Sequence, residues 1–274
     1  MRILVLGSDG QIGSHLVKYL ENLNHTVVRW DNASEFEKDL RIVNDKFEVE
    51  VSDSDFVFFL AFDVGGSRYL SKYQNTYSFL NNNIKIMDNV FNVLNKTKKP
   101  FIFLSSQMSN MIHSPYGITK LVGESYTKTI GGLSVRLWNV YGLESDPEKF
   151  HVITDFINMA RNDGYIKMMT DGKESRDLLY VEDCCEGLVN VMENYENISS
   201  EENLCLASFE NVTIKEVADI IAEKYSVNVI AGDKIDLIQL DMKNQPGQEI
   251  LKYWSPKTAL RDGIYKIVEE MENR

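Results

Sequence analysis

Five apolar runs mark the first half of the chain: ILVLG (3–7), TVVRW (26–30), DFVFFLAF (55–62), PFIFLSS (100–106) and LSVRLW (133–138). Most are apolar at consecutive positions rather than at every second one. That pattern predicts strands buried on both faces, as in a parallel sheet enclosed by helices. The segments between them have helical period: SHLVKYLENL (14–23), NTYSFLNNNIKIMDNVFNVLNK (75–96) and YGITKLVGESYTKTI (116–130). Strand and helix alternate, so the predicted fold class is α/β, a doubly wound parallel sheet. Later elements are shorter. One helix is marked by a capping box, Thr213 with Glu216, ahead of VADIIAEKY (217–225). No Pro/Gly-rich linker divides the chain, so a smaller second region is expected to pack on the first.

Charge and cysteine usage narrow the function. The 274 residues carry 29 Lys and Arg against 41 Asp and Glu, a net charge of -12. An acidic surface repels a phosphodiester backbone, and the longest basic run is KTKK (96–99), so no nucleic-acid partner is expected. Cys184, Cys185 and Cys205 lack CxxC or other metal-ligand spacing. They predict core packing in a reducing compartment, with no disulfide and no metal site. The apolar run in MRILVLGSDG is too short for a signal sequence or a membrane span. A soluble, cytoplasmic protein without a membrane partner is expected.

The first strand runs into GSDGQIG, with Gly7, Gly10 and Gly13 ahead of the first helix. Glycines there allow a tight turn, close approach to a pyrophosphate and packing of helix on sheet, with the phosphates on free helix N–H groups. Asp31 ends the second strand. A carboxylate at that point accepts hydrogen bonds from both ribose hydroxyls and repels a 2′-phosphate, so the expected cofactor is NAD. Arg29 lies nearby and would suit the phosphate instead.

Tyr116 and Lys120 form a Tyr-x-x-x-Lys pair, and a second copy stands at Tyr253 and Lys257. The second contains Pro256, which argues against one continuous helix there. The first is preceded by Ser114-Pro115, an N-cap and first-turn pair. Tyr116 and Lys120 then share a helix face one turn apart. Ser105 and Ser106 end a central strand, where α/β sheets place their ligands. Oxidising a secondary alcohol needs a base, and a free tyrosine, with a pKa of about 10, is a poor one at neutral pH. A neighbouring ammonium favours the phenolate, and a serine hydroxyl orients the reacting oxygen.

These motifs together resemble the extended short-chain dehydrogenase/reductases of the nucleotide-sugar epimerase/dehydratase group, nearly end to end. GSDGQIG is similar to the group's GxxGxxG loop and FFLAF (58–62) to its H-L-A-A segment. SSQ and YGITK are similar to its catalytic serine and Tyr-Lys pair, which selects Ser106 over Ser105. VRLWNVYG (135–142) resembles R-x-x-N-x-Y-G, and ESRDLLYVEDC (174–184) resembles R-D-x-x-Y-V-x-D. The resemblance implies a Rossmann-type domain over 1–142, with 178–208 returning to it. A smaller α/β substrate-binding region would then span 143–177 and 209–274. It implies catalysis by Ser106, Tyr116 and Lys120. NAD would be held by the last two with Gly7, Asp9, Gly10, Gln11, Ile12, Gly13, Asp31, Asn32, Leu60, Ala61 and the structural asparagine, Asn83. Gln107, Asn139, His151 and Arg176 would bind a nucleoside-diphosphate sugar, the last as a forked donor to the diphosphate. Without the family, Arg176 would simply pair with Asp177 or Glu182. The family also implies a homodimer through helices 75–96 and 116–130, where Phe79, Ile86, Val90 and Phe91 serve either that face or the core.

The departures bear on the reaction. Gln107 and Met108 stand where the dehydratases carry Asp-Glu, and no cysteine lies near the serine as in the 3,5-epimerases. The connection from Ser106 to Tyr116 is shorter than the family's. The implied activity is C4 oxidation of a nucleoside-diphosphate sugar, foremost as a 4-epimerase. A 4-dehydrogenase or 4-ketoreductase would use the same residues. A non-catalytic NAD sensor on the same fold is the remaining alternative.

Overall fold

The computed structural model describes residues 1–144, 146–236, 238 and 245–273. The first half of the chain lays down β1 (Arg2–Leu6), α1 (Gln11–Asn22), β2 (Thr26–Trp30), α2 (Asp45–Asp53), β3 (Phe56–Phe59), α3 (Ser67–Tyr73), α4 (Tyr77–Thr97), β4 (Phe101–Ser106), α5 (Pro115–Ile130) and β5 (Leu133–Leu137). It continues with β6 (Asn139–Tyr141), α6 (Val152–Asn162), β7 (Tyr165–Lys167), β8 (Ser175–Tyr180), α7 (Val181–Glu193) and β9 (Leu204–Leu206). The last elements are β10 (Asn211–Thr213), α8 (Ile214–Tyr225), β11 (Asn228–Ile230) and α9 (Leu260–Glu272).

The main sheet has the order β2-β1-β3-β4-β5-β9, parallel throughout. Its consecutive apolar runs reflect burial on both faces. Ile3 and Val5 of β1, with Phe56 and Phe58 of β3, join one core with Leu16 and Leu20 of α1 and Leu188 of α7. Their neighbours Leu4, Leu6, Val57 and Phe59 point the other way, onto Phe47 of α2 and Met87, Val90 and Phe91 of α4. Each strand therefore serves two hydrophobic layers, because successive side chains alternate across a sheet. Phe79, Val90 and Phe91 are core residues, and Ile86 packs half-buried against the same layer. Cys184, Cys185 and Cys205 are buried free thiols.

Several boundaries moved for local reasons. The strand expected over 55–62 ends at Phe59, and its tail leaves the sheet edge beside Gly7. Helix α1 starts at Gln11 rather than Ser14, because Gly10 with extended backbone is its N-cap. Ser114 caps α5 through its hydroxyl, which accepts from the Gly117 N–H at 3.2 Å, with Pro115 in the first turn. The Thr213–Glu216 capping box is present at α8.

After β5 the chain leaves the large sheet. β6 pairs parallel with β8, and β10 pairs antiparallel with β8. β7 and β11 form a separate parallel pair. Helix α7 returns to pack on α1, and β9 closes the large sheet beside β5. Among the described residues, no helix is long and apolar enough to cross a membrane.

Candidate active site

The chain runs from β1 outward to β2, then back across β1 to β3. This reversal opens a crevice at the carboxyl ends of the strands, where α/β sheets bind ligands. A cleft of about 1200 Å³ occupies it and extends to the small sheets.

The glycine turn forms its first wall. Gly7 has φ +84, a conformation that an L side chain rarely adopts, and a Cβ there would lie 2.7 Å from the Ala61 nitrogen. A Cβ on Gly13 would lie 2.0 Å from the Gly7 carbonyl oxygen. These two glycines let β1, α1 and the tail of β3 converge. Gly10 contributes no capping side chain, so the N–H groups opening α1 face the cleft without a competing hydroxyl or carboxylate. Asp9, Gln11 and Ile12 line the same wall, as do Leu60 and Ala61 opposite.

Asp31 lies at the end of this wall, with Asn32 beside it. Its carboxylate accepts from the Asp9 N–H at 3.0 Å and the Ala33 N–H at 2.9 Å, which fixes its orientation. Arg29 is turned away: its guanidinium donates to Glu21 of α1 at 2.9 Å. The competing reading of Arg29 as a 2′-phosphate ligand thus loses its geometry, since the guanidinium is engaged by Glu21 and Arg29 does not line the cleft. Lys38 and Arg41 also line this end, but Lys38 is held by Glu35 and Arg41 by Asp39. A turn that only glycine fits, uncapped helix N–H groups and an oriented carboxylate are a fitting cradle for a dinucleotide.

Asn83 is placed differently from the other cofactor candidates. It is fully buried in α4, behind the wall rather than in its lining. Its carbonyl accepts from the Asp63 N–H at 2.7 Å and its amide donates to the Asp63 carbonyl at 3.1 Å. It holds the segment after β3 in place and reaches the cleft only through that segment.

Ser106, Tyr116 and Lys120 meet on the floor of the cleft. Ser105 donates to Glu124 at 2.5 Å, whereas the Ser106 hydroxyl caps the following turn by accepting from the Met108 N–H at 3.2 Å. The short connection after Ser106 is a 3₁₀ turn over Gln107–Asn110. It sits so close to α5 that a Cβ on Gly117 would meet the Met108 carbonyl oxygen at 2.1 Å. Gln107 in this turn is nearly buried and faces the cleft. Burial pushes the Tyr116 hydroxyl up to about 12, with a hydrogen bond to Ser106 opposing the rise. Burial lowers Lys120 to about 7, opposed by the Glu124 charge. The Lys120 ammonium donates to the Leu104 carbonyl at 2.6 Å. The first proton thus leaves this pair near neutral pH. The one that remains sits on the phenol or on the amine.

At the far end stand Asn139, His151 and Arg176. Asn139 donates to the Asp177 carbonyl at 3.1 Å. Arg176 pairs with Asp236 at 2.7 Å, not with Asp177 or Glu182 as a local reading suggests. Arg176 and Asp177 are adjacent in β8 and point to opposite faces. Asp177 accepts from the Ser208 N–H at 2.7 Å instead. His151 caps the start of α6, and its ring Nδ1 lies 2.6 Å from Glu144. Burial is the strongest single influence and opposes its charge, but the hydrogen bond to Glu144 and the charges of Glu144 and Asp155 together raise its pKa. Glu144, Asp155, Arg68 and Asp63 also line this region. Burial raises Asp155 to about 6 despite its pairing with Arg68. None of these four belongs to a sequence motif. The nearest signal was Gly65-Gly66, which opens α3 so close to the 149–151 segment that a Cβ on Gly66 would meet the Phe150 carbonyl oxygen at 2.4 Å.

A parallel sheet whose reversal point holds a glycine turn, an oriented acid and a Tyr-Lys pair is the architecture of a dinucleotide-dependent oxidoreductase of the short-chain dehydrogenase/reductase superfamily. The chain belongs to the NAD dependent epimerase/dehydratase family, whose model matches residues 3–207. It is therefore an NAD-dependent enzyme. A Methanocaldococcus jannaschii protein provisionally named a UDP-glucose 4-epimerase is 28% identical to it, over 99% of this chain and 98% of the relative. The fold is shared with an epimerase of Methanothermobacter thermautotrophicus (24% identical, TM-score 0.85, covering 99% of this chain and 92% of that one). It is equally shared with a UDP-glucuronic acid 4-epimerase of Bacillus cereus, solved with NAD and a fluorinated UDP-sugar (23% identical, TM-score 0.85, covering 100% and 99%).

Proposed function

We propose that the chain is an NAD-dependent nucleotide-sugar 4-epimerase. One observation carries the reading: the Ser106–Tyr116–Lys120 group lies in a single cleft between the glycine turn at one end and Asn139 and Arg176 at the other. Dinucleotide and nucleotide sugar would meet over that group. Held by the glycine turn and Asp31, NAD would supply a reversible hydride acceptor for C4. The protein's own part is to orient the C4 oxygen with Ser106 and take its proton on Tyr116. Lys120 holds positive charge beside the phenolate and binds the cofactor ribose. Asp31 binds the adenosine ribose, while Asn139 and Arg176 hold the diphosphate. Gln107 and His151 line the sugar's end. The named relatives support a UDP-sugar as the first substrate to try.

Residues 1–142 with 178–208 serve the cofactor in this reading, and 143–177 with 209–274 serve the substrate. The enzyme works in the cytoplasm as a homodimer. The apolar residues supporting that assembly are the exposed Ile84 of α4 and Ile118 and Leu121 of α5, because Phe79, Val90 and Phe91 are committed to the core.

The test is incubation of the purified protein with UDP-glucose, UDP-glucuronic acid and their 4-epimers, without added cofactor. Interconversion with no net NADH is expected. Net NADH formation once NAD is added would instead establish a dehydrogenase, and consumption of added NADH with an added 4-keto sugar a ketoreductase. No turnover, with NAD bound, would leave the sensor. A second expectation concerns selectivity. Asp31→Asn removes the negative charge that repels a 2′-phosphate, so the preference for NAD over NADP should fall about tenfold, read by competitive binding of the two.

A further inference from the structure

The segment after β3 departs from the small residues of the H-L-A-A pattern at one position, Phe62, and that ring lies in the catalytic group. The Lys120 ammonium is 3.7 Å from the centre of the Phe62 ring and 4.9 Å from that of Phe103. Phe62 also packs edge-on against Tyr116, with ring centroids 5.9 Å apart at 76°. One aromatic ring thus touches both members of the Tyr-Lys pair. Lys120 is 3% exposed and donates a hydrogen bond to the neutral Leu104 carbonyl. A buried ammonium lacks the water that would stabilise it, and the negative face of an aromatic ring replaces part of that stabilisation.

We infer that Phe62 is a positioning residue for catalysis, whose ring face keeps Lys120 protonated and fixed beside Tyr116. The inference rests on the proposed role of Lys120. Among the ionisable groups on the surrounding elements, the Glu124 charge also favours the ammonium, but that carboxylate is shared with a guanidinium. On α5, Tyr116 is the partner itself, and Glu124 is paired with Arg136 of β5 at 2.7 Å. After β3, Asp63 is engaged by Tyr69 at 2.5 Å and by Asn82 at 3.2 Å. On α4, Lys85 and Asp88 are exposed to solvent. The ring acts on the two states that carry the ammonium: the fully protonated pair and the phenolate–ammonium pair. It leaves the neutral phenol–amine pair unaffected. Removing it lowers the pH at which Lys120 loses its proton and depletes the phenolate in equal measure.

The experiment compares the native protein with Phe62→Leu, which keeps apolar bulk but has no π face, and Phe62→Tyr, which keeps the face. Carbon-13 labelling at lysine Cε gives a titration for each side chain, and the Lys120 signal is assigned by its loss in Lys120→Met. The Lys120 midpoint in the cofactor-free protein is expected to fall by about one pH unit in Phe62→Leu and to stay near native in Phe62→Tyr. With a turned-over nucleotide sugar, kcat of Phe62→Leu should fall about tenfold on its plateau, with the acid limb moved to lower pH. A ring that merely filled space would lower kcat without moving the limb. An unmoved Lys120 midpoint overturns the inference whatever the activity. A moved midpoint in a protein that converts no sugar nucleotide upholds the ring's hold on the Lys120 proton and removes the proposed epimerase.

Discussion

Replacement of Tyr116 by phenylalanine is expected to lower kcat for nucleotide-sugar interconversion by about a thousandfold, the range of a lost general acid–base. The variant deletes one hydroxyl from a ring that is 7% exposed and packed against Phe62, so the fold and the bound NAD should persist. The measurements are kcat, the NAD released on denaturation and the melting temperature. Native activity in the variant would remove Tyr116 as the base. In the native enzyme the rate should rise as pH increases through neutrality. Below that point both Tyr116 and Lys120 hold their protons. Above it the pair has one proton fewer, so phenolate and ammonium can coexist. In Tyr116→Phe this dependence should vanish along with most of the rate.

Gly13→Ala is expected to be the most damaging single methyl addition in the cofactor wall. The new Cβ would stand 2.0 Å from the Gly7 carbonyl oxygen, which belongs to backbone and cannot rotate aside. Helix α1 would have to move away from β1, drawing Leu16, Val17 and Leu20 out of the core and shifting the N–H groups that face the cleft. Overpacking of this kind costs about 3 kcal/mol, equivalent for a chain of this size to a fall in melting temperature of roughly 5 °C. Loss of co-purified NAD should accompany it. A variant that melts like the native protein and keeps its cofactor would show that the turn opens freely.

What the sequence disclosed followed the range over which each signal acts. β2 spans Thr26–Trp30 as its apolar run suggests, and the Ser114 cap and the Thr213–Glu216 box are local chemistry within four residues. The three-residue strands β6, β7, β9, β10 and β11 are too short to show alternation, and they form because partners such as β5 and β8 offer open edges. The components of the cleft divide the same way. The glycine turn and the Tyr-Lys pair are contiguous motifs. The Arg176–Asp236 and Arg68–Asp155 pairs join residues from separate elements, which no local pattern records. The resemblance marked Asn83 as a structural asparagine, but not what it braces, because that depends on Asp63 arriving from another segment.

Parallel pairing gives this molecule an order of assembly. In the main sheet every strand joins a neighbour distant in sequence, and the last, β9, docks on β5 only after the whole excursion through β6, β7, β8 and α7. Such topologies fold slowly, because loop closure precedes any reward from contact. During synthesis β1 to β5 can emerge and associate while the edge of β5 still waits for β9. Until then Val135 and Leu137 stand beside an unpaired row of backbone donors and acceptors. The yield of refolding should therefore track the docking of that late strand, a burden set by connectivity rather than by catalysis.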